Sequence, residues 1–78
     1  MLKEECHTLN IYKLIEEELA FQKKKYGVQS HSLEKWSDII NGEARELLLD
    51  AARMDEEMFK KNLVSVAALA INCYGGLK

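Results

Sequence analysis

Three carboxylates, those of Glu43, Glu46 and Asp50, follow one side of the segment with the strongest helical pattern in the chain. At about 100° per residue they fall within roughly 60° of arc, on or beside an apolar stripe, so all three are expected to point inward or nearly so. An ionised group on a stripe destined for burial loses its hydration unless a basic group or a cation compensates it. The pattern therefore indicates one of two arrangements. The acids either pair with Lys or Arg at a helix interface, or bind a hard cation such as Mg²⁺, which prefers carboxylate and water ligands.

Length and charge limit the classes of protein to which the chain can belong. Its 78 residues are enough for one domain at most, and a chain this short buries only about 60% of the surface that its unfolded form exposes. We therefore expect a partner chain to contribute to stability. The formal net charge is −2, with both signs distributed along the chain, which gives no electrostatic basis for binding duplex nucleic acid or an anionic membrane.

The longest uncharged run, 62–77, contains two asparagines, a serine and two glycines, and it is too short and too polar for a membrane span. The two cysteines, Cys6 and Cys73, lie near opposite ends without a CxxC motif, and nothing before them resembles a secretory signal. A reduced, cytoplasmic protein is the expectation.

The elements that position the carboxylates are predicted to be helices. The chain contains no proline, so the strongest helix breaker is absent. Apolar periodicity predicts an all-α fold with three helices, at about 9–25, 33–53 and 56–74. Gly27 is expected to end the first helix in a left-handed conformation. The predicted N-caps are Thr8 or Asn10, then Ser32, then Asp55.

The third predicted helix is apolar around most of its circumference from Leu63 to Ile71. Two helices of the same chain cannot easily cover all of this surface. We therefore expect the three-helix chain to assemble into a helical-bundle dimer or tetramer.

Two segments, "EELAFQKKKYGVQSHSLEKWSDIINGEARELLLDA" and "NLVSVAALAI", resemble the MazG-like, all-α nucleoside triphosphate pyrophosphohydrolases, particularly their small phage-type members. The resemblance covers roughly positions 17 to 72 and includes polar loop positions as well as apolar ones. The residues in register are Gln22, Lys25, Tyr26, Gly27, Gln29, His31, Ser32, Trp36, Ile39, Ile40, Glu43, Glu46, Leu47, Leu63, Val64, Val66, Ala67 and Ala68.

The resemblance implies hydrolysis of an NTP or dNTP to the monophosphate and pyrophosphate, in a homo-oligomer of helices. The family uses Mg²⁺, for which Mn²⁺ is an alternative, held by an EExxE motif on one helix and an ExxD motif on the next. Carried onto this chain, Glu43 and Glu46 become catalytic metal ligands and Asn62 an auxiliary one. Asp50, one turn beyond Glu46, lies outside the family motif and is expected to serve as a further auxiliary ligand. The metal would neutralise phosphate charge and activate a water.

Three positions depart from the family pattern. Gly42 replaces the first Glu of EExxE, and Asn62 and Ser65 replace the acids of ExxD. A site that has lost three anions should bind Mg²⁺ more weakly. Gly42 also costs the helix about 1 kcal/mol relative to alanine, so it marks either a close helix contact or a relaxed constraint.

Three further residues each have a structural and a substrate-binding interpretation. Lys25 either ends the first helix or contacts a phosphate. His31 makes either a surface loop contact or a substrate contact, and Trp36 either packs in the core or stacks on a base.

Two functional hypotheses follow from these residues. The chain is either a Mg²⁺-dependent nucleotide pyrophosphohydrolase or a catalytically degenerate relative that survives as a nucleotide-binding or oligomeric interaction module.

Overall fold

The structure, a computed structural model, describes the backbone of residues 2–77 and the side chains of residues 10–77. Three α-helices account for most of this part of the chain: α1 (Leu2–Tyr26), α2 (Leu33–Ala52) and α3 (Glu56–Gly75). The predicted all-α, three-helix fold is therefore confirmed. No helix in the described residues is long and apolar enough to span a membrane.

The first helix begins at Leu2 rather than at about Leu9. Residues 2–8 contain neither proline nor glycine, so nothing in their sequence interrupts the helix. The predicted N-cap at Thr8 or Asn10 is consequently wrong, because both residues lie inside α1. The side chain of Cys6 lies outside the described residues.

The other helix ends follow the predicted chemistry. The Ser32 hydroxyl accepts a hydrogen bond from the Lys35 amide at 3.3 Å, and an Asp55 carboxylate oxygen accepts one from the Met58 amide at 3.1 Å. Both residues are N-caps that satisfy an otherwise unpaired amide of the first helical turn. Gly27 has a φ of 72°, the left-handed conformation that ends α1.

The α3 helix lies between the other two. Within residues 2–77, α1 and α2 each pack against α3 and not against each other. The α2 and α3 helices are antiparallel, since Asp50 bonds Asn62 and Trp36 bonds Gly76. The α1 helix runs in the same direction as α3, because residues 18 and 22 lie opposite 65 and 72. The chain is thus an open layer of three helices.

Little apolar surface is enclosed by this layer. Among the described residues the buried hydrophobic side chains are those of Trp36, Ala68 and Leu69. Trp36 lies in α2 where this helix meets α3, and Ala68 and Leu69 lie in the C-terminal half of α3. The loop 27–32 packs at the same end of α3. This end of the molecule therefore holds these buried apolar side chains, and the candidate site is built around it.

Candidate functional site

A pocket of about 320 Å³ lies where the C-terminal end of α1, the loop 27–32, the first half of α2 and the last turns of α3 meet. Each helix contributes residues three or four positions apart, which share one helical face. Its volume is at the lower end of the usual range for small-molecule sites. The lining residues are Gln22, Tyr26, Gln29, His31, Lys35, Trp36, Ile39, Glu43, Leu69 and Asn72.

Trp36 forms the floor of the pocket. Its side chain is only 1% exposed, and its indole Nε1 donates to the carbonyl oxygen of Gly76 at 3.0 Å. The His31 amide donates to the same carbonyl oxygen, also at 3.0 Å. One carbonyl at the end of α3 therefore holds both the loop and the first turn of α2 in place.

Gly76 permits this close approach because it has no side chain. A Cβ at this position would clash with the carbonyl oxygen of Gln29 and would lie 3.0 Å from both Trp36 Cζ2 and the carbonyl oxygen of Asn72. The backbone at 76 is not in a left-handed conformation, with φ at −109°. Space, and not backbone conformation, is what requires a glycine here.

His31 is oriented by two neighbours. Its Nε2 lies 3.0 Å from Gln29 Oε1, and its ring stands edge-on to Trp36, with ring centroids 4.9 Å apart and planes at 72°. When the neutral ring donates to Gln29 through Nε2, its Nδ1 is an acceptor. The loop histidine is therefore a positioned polar group at the pocket and not a freely solvated side chain.

A chain of amide groups connects the pocket to α1. Asn72 Nδ2 donates to Gln22 Oε1 at 2.7 Å, and Gln22 Nε2 donates to Glu18 Oε2 at 3.0 Å. The Ser65 hydroxyl lies 3.5 Å from the same carboxylate oxygen. These bonds fix the orientation of the Gln22 and Asn72 amide groups, and the side-chain oxygen Oδ1 of Asn72 can accept a hydrogen bond from a ligand.

The three predicted carboxylates have different environments. Glu43 is half-buried and lines the pocket. Glu46 is exposed and is not among the pocket residues, so the expectation that it points inward is wrong. Asp50 is only 4% exposed. One helix therefore presents its acids to a pocket, to solvent and to a helix interface.

Asp50 is compensated by a neutral residue. Asn62 Nδ2 donates to Asp50 Oδ2 at 2.6 Å, which joins α2 to α3. A hydrogen bond to a charged acceptor is among the stronger ones in proteins. This bond gives the buried carboxylate a hydrogen-bond partner on the neighbouring helix.

The described residues of a single chain do not fit a divalent-metal site. No group of three or more His, Cys, Asp or Glu side chains in this part of the molecule is arranged to hold a metal ion. Asp50 is engaged by Asn62, and Ser65 lies against Glu18. Of the four predicted ligands, Asp50 and Asn62 are therefore brought together, whereas Glu43 lines the pocket and Glu46 faces solvent.

Two substrate-binding expectations also change. Lys25 is exposed and does not line the pocket; its ammonium lies 5.2 Å from the ring centre of Tyr26 and 5.8 Å from that of Phe21. Trp36 is too deeply buried to offer a ring face for stacking.

Gly42 makes no close helix contact, since a Cβ there would meet nothing within 4 Å.

Lys35, Asn72 and Gly76 belong to the site but were not singled out by sequence reasoning. A signal for Asn72 exists in the sequence: Asn62, Ser65 and Asn72 are the polar residues of an otherwise apolar run and fall on one side of α3. Lys35 lies four residues before Ile39 and eight before Glu43, which places all three on one face of α2.

No family model, curated protein or solved structure matches this chain. The resemblance to the MazG-like family rests on the sequence motifs alone.

Proposed function

We propose that this chain is a MazG-like helical protein that binds a nucleotide in the pocket between α1, α2 and α3, and that it assembles as a homo-oligomer. The observation that carries the proposal is that seven of the residues in register with the family motif line this one pocket. They lie at separate positions between 22 and 43 in the sequence. They are Gln22, Tyr26, Gln29, His31, Trp36, Ile39 and Glu43.

The chemistry of the pocket suits a nucleotide. Tyr26 is 58% exposed and offers an aromatic face on which a base can stack. Gln29 and Asn72 supply amide groups that can bond the edge of a base or a sugar hydroxyl. Lys35 provides a cation for a phosphate oxygen. Six of the ten lining residues carry an amide, a charge or an imidazole, and the other four are aromatic or aliphatic. This mixed lining suits a ligand that has both an aromatic base and polar groups.

A second candidate function is Mg²⁺-dependent hydrolysis of the same nucleotide. It is favoured by the position of Glu43, which lies in the pocket at a position where the family carries a metal ligand. It is weakened by the scattered carboxylates of the single chain. Nucleotide binding without turnover is therefore the function that the geometry supports better.

Two measurements on the same protein separate these functions. Equilibrium dialysis with a panel of NTPs, dNTPs and monophosphates measures binding, and pyrophosphate release with Mg²⁺ or Mn²⁺ measures hydrolysis. Binding without release supports the first proposal, and release supports the second. A chain that neither binds nor hydrolyses any member of the panel refutes both.

Matched lysine variants locate the binding site. Lys35→Ala removes the cation at the pocket, and we expect about a tenfold loss of affinity, corresponding to about 1.4 kcal/mol. Lys24→Ala removes an exposed lysine that does not line the pocket and should leave affinity unchanged. Equal losses in the two variants would indicate nonspecific attraction and would contradict a site in this pocket.

A further inference from the structure

A groove of about 870 Å³ runs between α1 and the N-terminal half of α3, at a distance from the nucleotide pocket along α3. In a closed three-helix bundle each helix packs on both others, whereas here α1 and α2 do not meet within the described residues. The apolar sides of α1 and α3 therefore remain open along this groove. The apolar residues that line it are Ile11, Leu14, Ile15, Phe21, Leu63, Val64 and Ala67.

The exposed apolar surface in this groove is large for so small a chain. Phe21 is 55% exposed, Leu14 is 48% exposed and Leu63 is 44% exposed. Contiguous apolar surface of this kind is uncommon on monomers and usually marks an interface. Because the chain encloses few buried hydrophobic side chains of its own, further burial is what a domain of this length needs for stability.

The charges at the groove are divided between its two sides. The α1 side carries Glu17 and Glu18, and the α3 side carries Lys60 and Lys61 together with Glu57. A surface with an acidic edge and a basic edge is complementary to itself when a two-fold rotation exchanges the edges.

We propose that this groove binds a second copy of the same chain, with the two-fold axis roughly parallel to the helices. In this arrangement α1 of each copy lies against α3 of the other, and the exposed Glu17 faces the lysines of the second copy. The alternative axis, across the helices, would place α1 on α1 and would bring the acidic edges together. Like charges at an interface are unfavourable, so the lengthwise axis is preferred.

This proposal rests on the proposed function, which includes a homo-oligomer, and it names the surface through which that oligomer forms. The groove and the nucleotide pocket share no lining residue, so a dimer formed here leaves both pockets open. The two proposals can therefore fail separately. A dimer that binds no nucleotide refutes the proposed function and retains the interface, and a monomer that binds nucleotide does the reverse.

Sedimentation equilibrium of the full chain tests the apolar part of the groove. We expect the wild type to be dimeric at tens of micromolar, and Phe21→Glu to raise the dimer dissociation constant by at least about 30-fold. Leu33→Glu changes a side chain that is 72% exposed and lies outside the groove, and it should leave the constant unchanged. A monomeric wild type, or a dimer indifferent to both Phe21→Glu and Leu14→Glu, overturns the proposal.

A charge exchange tests the orientation, and it does so even if an apolar variant fails to fold. Glu17→Lys and Lys61→Glu should each weaken the dimer by about fivefold, because each places like charges at the interface. The double variant restores opposite charges and should return to within about twofold of the wild type. Additive weakening in the double variant would overturn the lengthwise two-fold arrangement.

Discussion

Replacing Asn62 by aspartate tests whether a neutral amide is what allows Asp50 to be buried. In the wild type, the Asn62 amide donates to the Asp50 carboxylate at 2.6 Å, and Asp50 is only 4% exposed. Asn62→Asp keeps the size of the side chain, removes the donor and adds a second carboxylate. The comparison variant, Asn62→Ala, removes the donor without adding a charge.

The expected losses follow from the two contributions. A hydrogen bond to a charged group contributes about 1.5–3 kcal/mol, and this is the loss that we expect for Asn62→Ala. Two like charges about 4 Å apart repel by about 4 kcal/mol at an intermediate effective dielectric constant. Residue 62 is only half-buried, so the carboxylates can separate toward solvent, and we expect about half of that repulsion. Asn62→Asp should therefore lose about 3.5–5 kcal/mol in total.

Urea denaturation at neutral pH, with and without Mg²⁺, measures both effects. A cation that bridges two carboxylates binds the folded Asn62→Asp variant, and Mg²⁺ at 100 times its dissociation constant would restore about 2.7 kcal/mol. The wild type and Asn62→Ala should not respond to Mg²⁺. An Asn62→Asp variant as stable as the wild type, or an equal Mg²⁺ response in all three proteins, would refute this account of Asp50.

Two predictions concern glycines. Gly76→Ala should lower the free energy of unfolding, measured by urea denaturation, by about 2–4 kcal/mol, because its Cβ clashes with the Gln29 carbonyl and crowds Trp36. Gly75→Ala, whose Cβ meets nothing within 4 Å, should be neutral or stabilising. Equal losses in the two variants would contradict the close approach at position 76. Gly42→Ala should raise the thermal midpoint and stabilise by about 1 kcal/mol, since Gly42 lies in α2 with open space beside it, and a loss of stability would indicate a contact from another chain.

The helices and their caps could be predicted because local chemistry determines them. Ser32 and Asp55 satisfy amides of their own first turns, and Gly27 ends α1 through its own backbone conformation. The start of α1 could not be placed, because the sequence before Thr8 contains no breaker and apolar periodicity alone does not mark where a helix begins. The open layer also required coordinates, since it depends on which helices pack together.

The candidate site was predicted only in part, for a physical reason. Helical spacing located Glu43, Glu46 and Asp50 on one side of α2. Within the roughly 60° of arc that they span, however, the first lines the pocket, the second faces solvent and the third lies at the interface with α3. Which of these each acid meets depends on neighbours from α1 and α3. The Asp50–Asn62 bond is an example, because it joins residues on two helices. The pocket itself combines α1, a loop, α2 and α3 and is not visible in any one segment.

The central claim, that the pocket binds a nucleotide, is tested most directly by the fluorescence of Trp36. This is the only tryptophan in the chain, and it forms the pocket floor beside His31, so a ligand in the pocket changes its surroundings. We predict a saturable change in its emission on titration with a nucleotide in the absence of divalent metal, weakened about tenfold by Lys35→Ala and not by Lys24→Ala. Emission that does not change with any nucleotide at millimolar concentration would contradict the claim.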